Sequence, residues 1–323
     1  MSNSSVNVVI VTYNQETLIK DTLDSVLNQS YDNITKIVVA DDGSTDETSN
    51  IIKQYALDNP VIEPVLAKEN KGITYNMNRA LKHADADYIS FMDGDDQMFP
   101  QKIEKQVNVL DANPDLVGCA HDMDVFDSSK GKKLGKFSEV MSFKNKMAER
   151  IGIESFFDPS TLLCPSSAMY RSEKLPVNGY DNRLKYWSEF LFAVELVMKG
   201  DIGIMDEVLG LYNLHGSNAS LSMDMKESGL ENALIVYSII LSRYPELYSL
   251  VKRRRTATYL ANIVECVKDG NNKKAKNLSK ILISEGSYFK GLGAYLFSSI
   301  FNKERADKLY QNKRLLKFFV KHV

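Results

Sequence analysis

The chain has 323 residues, 44% of them hydrophobic and 25% charged, with a net charge of −2. That length holds one large α/β domain, or one such domain with an appendage, and the composition is that of a soluble globular protein. The near-neutral total conceals an asymmetry. Residues 251–323 carry 17 Lys and Arg against 5 Asp and Glu, a net of +12, which leaves −14 for residues 1–250. Cys119, Cys164 and Cys266 are odd in number and in no paired spacing, so a reducing compartment is expected rather than a disulfide framework. The opening MSNSSVNVVIVTYN has no basic n-region and too short an apolar run for a signal peptide. No segment reaches the ~18–20 apolar residues of a membrane span. A cytoplasmic location is therefore expected, and N-x-S/T sequons such as Asn28–Ser30 and Asn33–Thr35 read as chance matches.

Val6–Val11 has the apolar run of a buried strand, and Ile19, Leu23, Val26 and Leu27 then follow helical spacing. Lys36–Ala40 is a second strand running into DDGSTDET, where Ser44 and Glu47 form an S-x-x-E capping box for a helix through Tyr55. Val61–Ala67 reads as a third strand, Ile73–His83 as a helix, Tyr88–Met92 as a fourth strand, and Pro100 opens a helix to about Leu110. Strands separated by such helices predict a mainly parallel, doubly wound α/β sheet. Residues 127–150, polar and rich in Gly and Lys, predict a loop leading into a helix. Ser167–Tyr170 is strand-like, Glu189–Lys199 a helix stopped by Gly200, and Ile202–Tyr212 a strand. From about Glu227 the chain reads as helical, with a loop at 270–276.

Two acidic clusters, Asp41–Asp42 and Asp93–Asp96, fall at the carboxyl ends of strands, where open α/β sheets bind ligands. FMDGDD sets three carboxylates in four positions just behind the apolar run DYISFM. Neither G-x-G-x-x-G nor G-x-x-x-x-G-K-[ST] is present, which takes most of the weight from dinucleotide enzymes and P-loop NTPases. A divalent ion bridging carboxylates to phosphate oxygens is the other way to hold a diphosphate, and hard oxygen ligands suit Mg²⁺ or Mn²⁺. His121, Asp122 and Asp124 do not make a second cluster of this kind. Strand alternation sends His121 and Met123 to one face and the aspartates to the other.

In order, the chain presents VTYN (11–14), ADDGSTDET (40–48), Asn70, Gly72 and Asn78 in N-x-G-x-x-x-x-x-N, FMDGDD (91–96), SSAMYRSEKLPVNGYDNRLKYWSEF (166–190) and EVLGLYNLHGSNASLS (207–222). This series resembles the family 2 inverting glycosyltransferases with the GT-A fold, the group that builds bacterial surface polysaccharides, over roughly residues 6–222. The resemblance implies a GT-A catalytic domain at 1–222, with a mostly parallel sheet and helices on both faces, followed by a basic helical region at 223–323. It implies a sugar moved from a nucleotide-diphosphate donor, expected to be a UDP-sugar, to a hydroxyl of a saccharide or lipid-linked saccharide, with Mn²⁺ or Mg²⁺ as cofactor.

Position by position, Thr12, Tyr13, Asn14, Asp41, Asp42, Asn70, Gly72, Asn78, Asp93 and Gly94 would line the nucleotide-sugar site. Tyr13 would lie at the base and Asp42 would hydrogen-bond it. Asp95, with Asp93, would be the metal pair, Asp96 the extra acid that follows it, and His215 would complete the metal or diphosphate site. Glu189 would be the catalytic base, with Asp181 its competitor and Glu195 turned away by about 600° of helix rotation. Three departures stand out. Met77 replaces an arginine common before Asn78, Asn213 replaces the arginine of Tyr-Arg-x-His, and Ser188 replaces the first acid of the Glu-Asp pair. The Ser188 and Asn213 departures leave a catalytically impaired sugar-nucleotide-binding or scaffold protein as the alternative. Trp187 suits either the core or an acceptor-sugar platform.

In LYQNKRLLKFFVKHV, Leu315, Leu316, Phe319, Val320 and Val323 share one helical face, with Lys313, Lys317 and Lys321 opposite. This pattern fits an anionic membrane surface, such as the inner face of the cytoplasmic membrane, or packing on the body of the protein or on a second subunit. A homo-oligomer is left open, and no nucleic-acid partner is expected.

Overall fold

The computed structural model describes residues 3–140, 149–158, 161, 163–216 and 223–300. The amphipathic pattern at 309–323 lies outside them. The chain divides into two compact units, Met1–Met225 and Lys226–Val323.

The first unit alternates β1 (Val6–Thr12), α1 (Ile19–Leu27), β2 (Ile34–Asp41), α2 (Thr48–Asp58), β3 (Ile62–Leu66), α3 (Ile73–Leu81), β4 (Tyr88–Asp93), β5 (Gln97–Met98), α4 (Lys102–Ala112) and β6 (Leu116–Asp127). It continues through β7 (Lys132–Lys136), α5 (Phe137–Val140), β8 (Arg150–Ile151), α6 (Ile153–Phe156), β9 (Met169–Arg171), α7 (Ser188–Val197) and β10 (Asp201–Leu214). The strands form one sheet in the order β3-β2-β1-β4-β9-β6-β10-β5. The β3-β2-β1-β4 block is parallel throughout, and β6 and β10 are parallel to each other. Between the blocks, three-residue β9 runs antiparallel to both β4 and β6. The expectation of a mostly parallel α/β sheet with helices on both faces holds, with this antiparallel seam inside it.

Alternation along each strand feeds two cores. Val6, Val8 and Ile10 of β1 pack with Ile19, Leu23 and Val26 of α1, Ile52 of α2, and Ile103, Val107 and Leu110 of α4. Val9 and Val11 face the other way, against Met77 and Ala80 of α3 and Phe192, Leu196 and Val197 of α7. This is the period-2 strand meeting helical stripes on both sides. Full burial of each such aliphatic side chain stabilises by ~1.5–3 kcal/mol.

Three local expectations are corrected. The capping box does not form, because Asp41 takes the Ser44 hydroxyl and α2 starts with no side-chain cap on Glu47. Residues 127–140 fold back as a β-turn and hairpin, β7 pairing antiparallel with β6 before the single turn of α5. The 270–276 loop shrinks to a tight turn, since Asn271 caps the next helix by accepting from Lys274 N.

The second unit holds α8 (Met223–Arg243), which begins at the boundary, α9 (Tyr248–Lys268), α10 (Asn272–Ser284) and α11 (Tyr288–Ile300). Tyr259, Ile263, Val267, Leu278, Leu282, Ala294 and Phe297 form its own core. Among the described residues no helix is long and apolar enough to cross a membrane.

Candidate active site

Register brings the acidic clusters together at the carboxyl ends of the central strands. Thr12 pairs with Asp41, and Val11 pairs with Asp93. Just beyond, Asp42 N donates to Thr12 O at 3.0 Å and Gly94 N to Val11 O at 2.9 Å. Gly94 allows this close approach, because a Cβ there would lie 2.7 Å from Thr12 Cβ and 2.4 Å from Gln15 Oε1.

Oxygens of Asp93, Asp95 and Asp96 lie within 4.8 Å of one another. His215, just past the end of β10, sets Nε2 2.7 Å from Asp95 Oδ2. Asp93 is anchored through its backbone, with N donating to Ser166 Oγ at 3.0 Å. Asp96 is wholly buried, and Oδ1 accepts from Asn213 N at 2.9 Å. Its Oδ2 is also buried and has no well-formed hydrogen bond, although the nearby Ser166 hydroxyl favours its charge. Burial, then repulsion from Asp95, Asp96 and Glu189, pushes the Asp93 carboxyl well above the usual carboxylate range. Asp96 is pushed up for the same first reason, with Asp95 adding to it. Crowded, desolvated carboxylates with an under-satisfied oxygen are costly unless something positive completes them.

Glu189 stands in the first turn of α7, close enough for its charge to act on Asp93. Solvent reaches it, yet protein atoms crowd around it, and this desolvation raises its carboxyl above the ordinary glutamate range. Of its competitors, Asp181 is held by its own turn. Both its oxygens bind the Arg183 guanidinium, at 2.8 and 2.6 Å. Glu195 lies six residues further along α7.

The other expected residues divide. Tyr13 is 42% exposed beside the site. Thr12 is buried, with Oγ1 donating to Gln15 Oε1 at 2.6 Å. Asn14 takes a left-handed φ of 52°, and its Oδ1 accepts from Thr45 N at 2.8 Å. Asp42 accepts from the backbone N–H of Lys71 and of Gly72, the latter at 2.7 Å, and Asn70 Oδ1 also accepts from Gly72 N. Burial lifts the Asp42 carboxyl, and these N–H groups partly offset the rise.

Asp41 and Asn78 do not reach the site. Asp41 has no exposed surface, and its oxygens are taken by the Ser44 and Ser49 hydroxyls and Ser44 N, so it organises the turn into α2. Asn78 is tied to the turn before α7. Its Nδ2 donates to Tyr180 O at 2.7 Å and Asn182 Oδ1 at 2.9 Å, while its Oδ1 accepts from Tyr180 N at 2.8 Å.

The three departures have structural roles. Met77 packs in the core, and Arg79, two residues on, binds the carbonyls of Asp41 and Val65. Asn213 uses its backbone N–H on Asp96 and its side-chain oxygen on the Ser128 hydroxyl. Ser188 is buried, its hydroxyl directed to Asp181 O at 3.4 Å. Trp187 sits at the N-cap of α7 in a left-handed conformation, φ 68°, partly buried and edge-on to Phe190.

Lys102 and Gln106 escaped the sequence reading. Lys102 is completely buried on the inner face of α4, donating to Ser166 O at 2.8 Å and Ser90 Oγ at 3.3 Å. Burial lowers its ammonium to about 7, with Cys164, Cys119 and Asp96 opposing the shift. Gln106, one turn on, donates to Ser167 O at 2.9 Å. Together they fasten the 165–167 turn whose Ser166 hydroxyl holds Asp93. The signal was present: both fall one residue before core positions, Ile103 and Val107, on the same stripe.

A sequence profile described as Glycosyl transferase family 2 matches residues 7–177. The chain belongs to that family. The putative glycosyltransferase EpsE of Bacillus subtilis is 39% identical over 127 residues, 39% of this chain and 45% of EpsE. An uncharacterized protein of Mycobacterium bovis is 26% identical over 211 residues, 65% of this chain and 58% of that protein. The chain thus spans about half the length of these relatives. Staphylococcus aureus TarS 1–349, solved with UDP-GlcNAc, superposes with a TM-score of 0.65 at 19% identity, over 98% of this chain and 89% of that one. Mannosyltransferase PcManGT from Pyrobaculum calidifontis, solved with GDP-Man and Mn²⁺, gives 0.59 at 15% identity, over 98% and 84%. The fold is GT-A.

Proposed function

We propose that the protein is an inverting glycosyltransferase that moves a sugar from a nucleotide-diphosphate donor, a UDP-sugar, to a hydroxyl of a saccharide or lipid-linked saccharide. The observation that carries this reading is the meeting of the Asp93/Asp95/Asp96/His215 cluster with Glu189 beyond the carboxyl end of β4. The nucleotide-sugar complexes of TarS and PcManGT, on the same fold, support the donor class.

The residues fit a divalent cation. Hard carboxylate oxygens and one imidazole nitrogen suit Mn²⁺ or Mg²⁺, and a cation would offset the crowding of the Asp93, Asp95 and Asp96 carboxylates. Asp95, Asp93 and His215 would hold it, and when bound it offsets negative charge on the departing diphosphate. Asp42, Asn70 and Gly72 shape the turn beside Tyr13, on which the base would rest. Glu189 accepts the proton of the acceptor hydroxyl as that oxygen bonds to the anomeric carbon and the bond to the diphosphate breaks on the opposite side. Its raised pKa makes it a stronger base than a free glutamate.

The test is release of nucleoside diphosphate from a panel of UDP- and GDP-sugars, with Mn²⁺, with Mg²⁺ and with EDTA. Cation-dependent release from one donor is expected. Binding of the donors without release under any condition would instead mark a sugar-nucleotide-binding protein.

A further inference from the structure

The last described helix of the second unit, α11, buries one side and exposes the other. Ala294 and Phe297 enter the unit's core, and Gly291 and Ser298 are buried beside them. At ~100° per residue, Tyr288, Phe289, Leu292 and Leu296 fall within an arc of about 100° on the opposite side. They are 57%, 87%, 39% and 50% exposed. An outward stripe of four large apolar side chains marks a contact rather than a solvated face.

The surroundings decide which contact. Among the described residues, 226–300 hold 12 Lys and Arg against 6 Asp and Glu, a net of +6. Lys276, on neighbouring α10, sits over the Tyr295 ring at 5.8 Å. Lys252 Nζ lies 3.6 Å from where a Cβ on Gly286 would stand, at the turn into α11. A second copy would bring the same positive charge to the contact and be repelled, whereas an anionic lipid surface complements it. Buried apolar area and attraction to anionic lipids are also the two terms that set how strongly an interfacial helix binds a membrane.

We propose that α11 is a peripheral membrane contact, with Tyr288, Phe289, Leu292 and Leu296 entering the interfacial layer of an anionic bilayer while the unit's lysines and arginines meet the headgroups. The contact stands apart from the catalytic reading, because it is read by partition and not by sugar transfer.

The test is co-sedimentation of the full chain with vesicles of phosphatidylcholine alone and of phosphatidylcholine and phosphatidylglycerol in equal parts, at low and moderate salt. Binding only to the anionic vesicles, weakened by salt, is expected. F289S/L292S/L296S should lower partition at least ~10-fold with the same melting curve, since each residue gives up apolar burial in the bilayer. Phe289→Ser alone, at the most exposed position, should lower it in the same direction if the triple variant melts early. The proposal is overturned if these variants partition like the parent, or if the parent ignores both vesicles. It is equally overturned if sedimentation velocity shows parent dimers that the triple variant abolishes while vesicle binding is kept.

Discussion

Asp95 and Glu189 differ in what their charge does, so neutralising each should leave a different trace. Asp95→Asn is nearly isosteric at a strand end, keeps the fold, and removes a charge facing His215. Loss of several kcal/mol of electrostatic stabilisation predicts at least a ~10²-fold fall in diphosphate release. Survival of that activity in both the variant and EDTA would remove the cation from the mechanism. Glu189→Gln should retain donor binding, measured by calorimetry, while transfer drops ~10²–10⁴-fold. Its raised pKa also shifts the acidic limb of the parent's transfer rate above the range of a free glutamate, because the base must be ionised. Asp181→Asn, by contrast, breaks a turn-holding ion pair and should act mainly on stability. His121 gives a pH effect on folding. Burial first, and then Lys102, lower its pKa to about 3, against 6.5 when unfolded. Below pH 6.5 the unfolded chain therefore binds the extra proton, and stability falls toward pH 3 at a slope of at most ~1.4 kcal/mol per unit. Urea midpoints from pH 7 to 4 should show a shallower decline for His121→Gln.

Helix α3 acts as a clamp on the segment that delivers α7. Asn78 makes its three bonds to residues 180–182, and Thr74 Oγ1 donates to Leu184 O at 2.9 Å. Asn78→Ala strands the Tyr180 backbone groups, which should cost ~1–3 kcal/mol. Thermal melting should register that loss, and the KM for acceptor should rise more than the KM for donor. The same element shows where sequence reading stops. The sequence located α3, read as Ile73–His83 against the observed Ile73–Leu81, while Met77, read as a departure from a family arginine, proves to be a core position with Ala80. The family resemblance assigned Asn78 to ligand, because a side chain's partner about a hundred residues away leaves no local pattern. The capping box failed for a related reason: Ser44 is suited to cap α2, but Asp41 lies nearer its hydroxyl in the folded chain. Lys102 shows the converse, a charged residue on an inner stripe whose purpose appears only once Ser90 and Ser166 are opposite it. The aspartates of FMDGDD were readable because strand, turn and crowding are all encoded within six residues.

At the scale of the whole chain, two units each carry their own core, one an α/β sheet and one helical. Such units are expected to unfold as separate cooperative blocks. Calorimetry of the full chain should therefore give a measured enthalpy larger than the van't Hoff value. Raising salt should move the helical unit's transition upward, as screening relieves repulsion within a net charge of +6 over residues 226–300. Agreement of the two enthalpies would instead mean that the chain melts as one block.

The antiparallel seam has a consequence for synthesis. Strand β4 pairs on one side with β1, made long before it, and on the other with β9, which ends at Arg171. A nascent chain growing at ~5–20 residues per second therefore leaves one flank of β4 bare for several seconds after Asp93 emerges. During that interval Tyr88–Ser90 offers unpaired backbone to any neighbouring strand, the usual starting point for misassembly on crowded polysomes. Ser166, and with it the anchor for Asp93, arrives only a few residues ahead of β9. The anchor of Asp93 and the sheet seam thus mature in the same stretch of translation, while His215 and the Asn213 bond to Asp96 come only with β10, so a ribosome stalled between residues 100 and 160 would hold a chain that is at once inactive and adhesive.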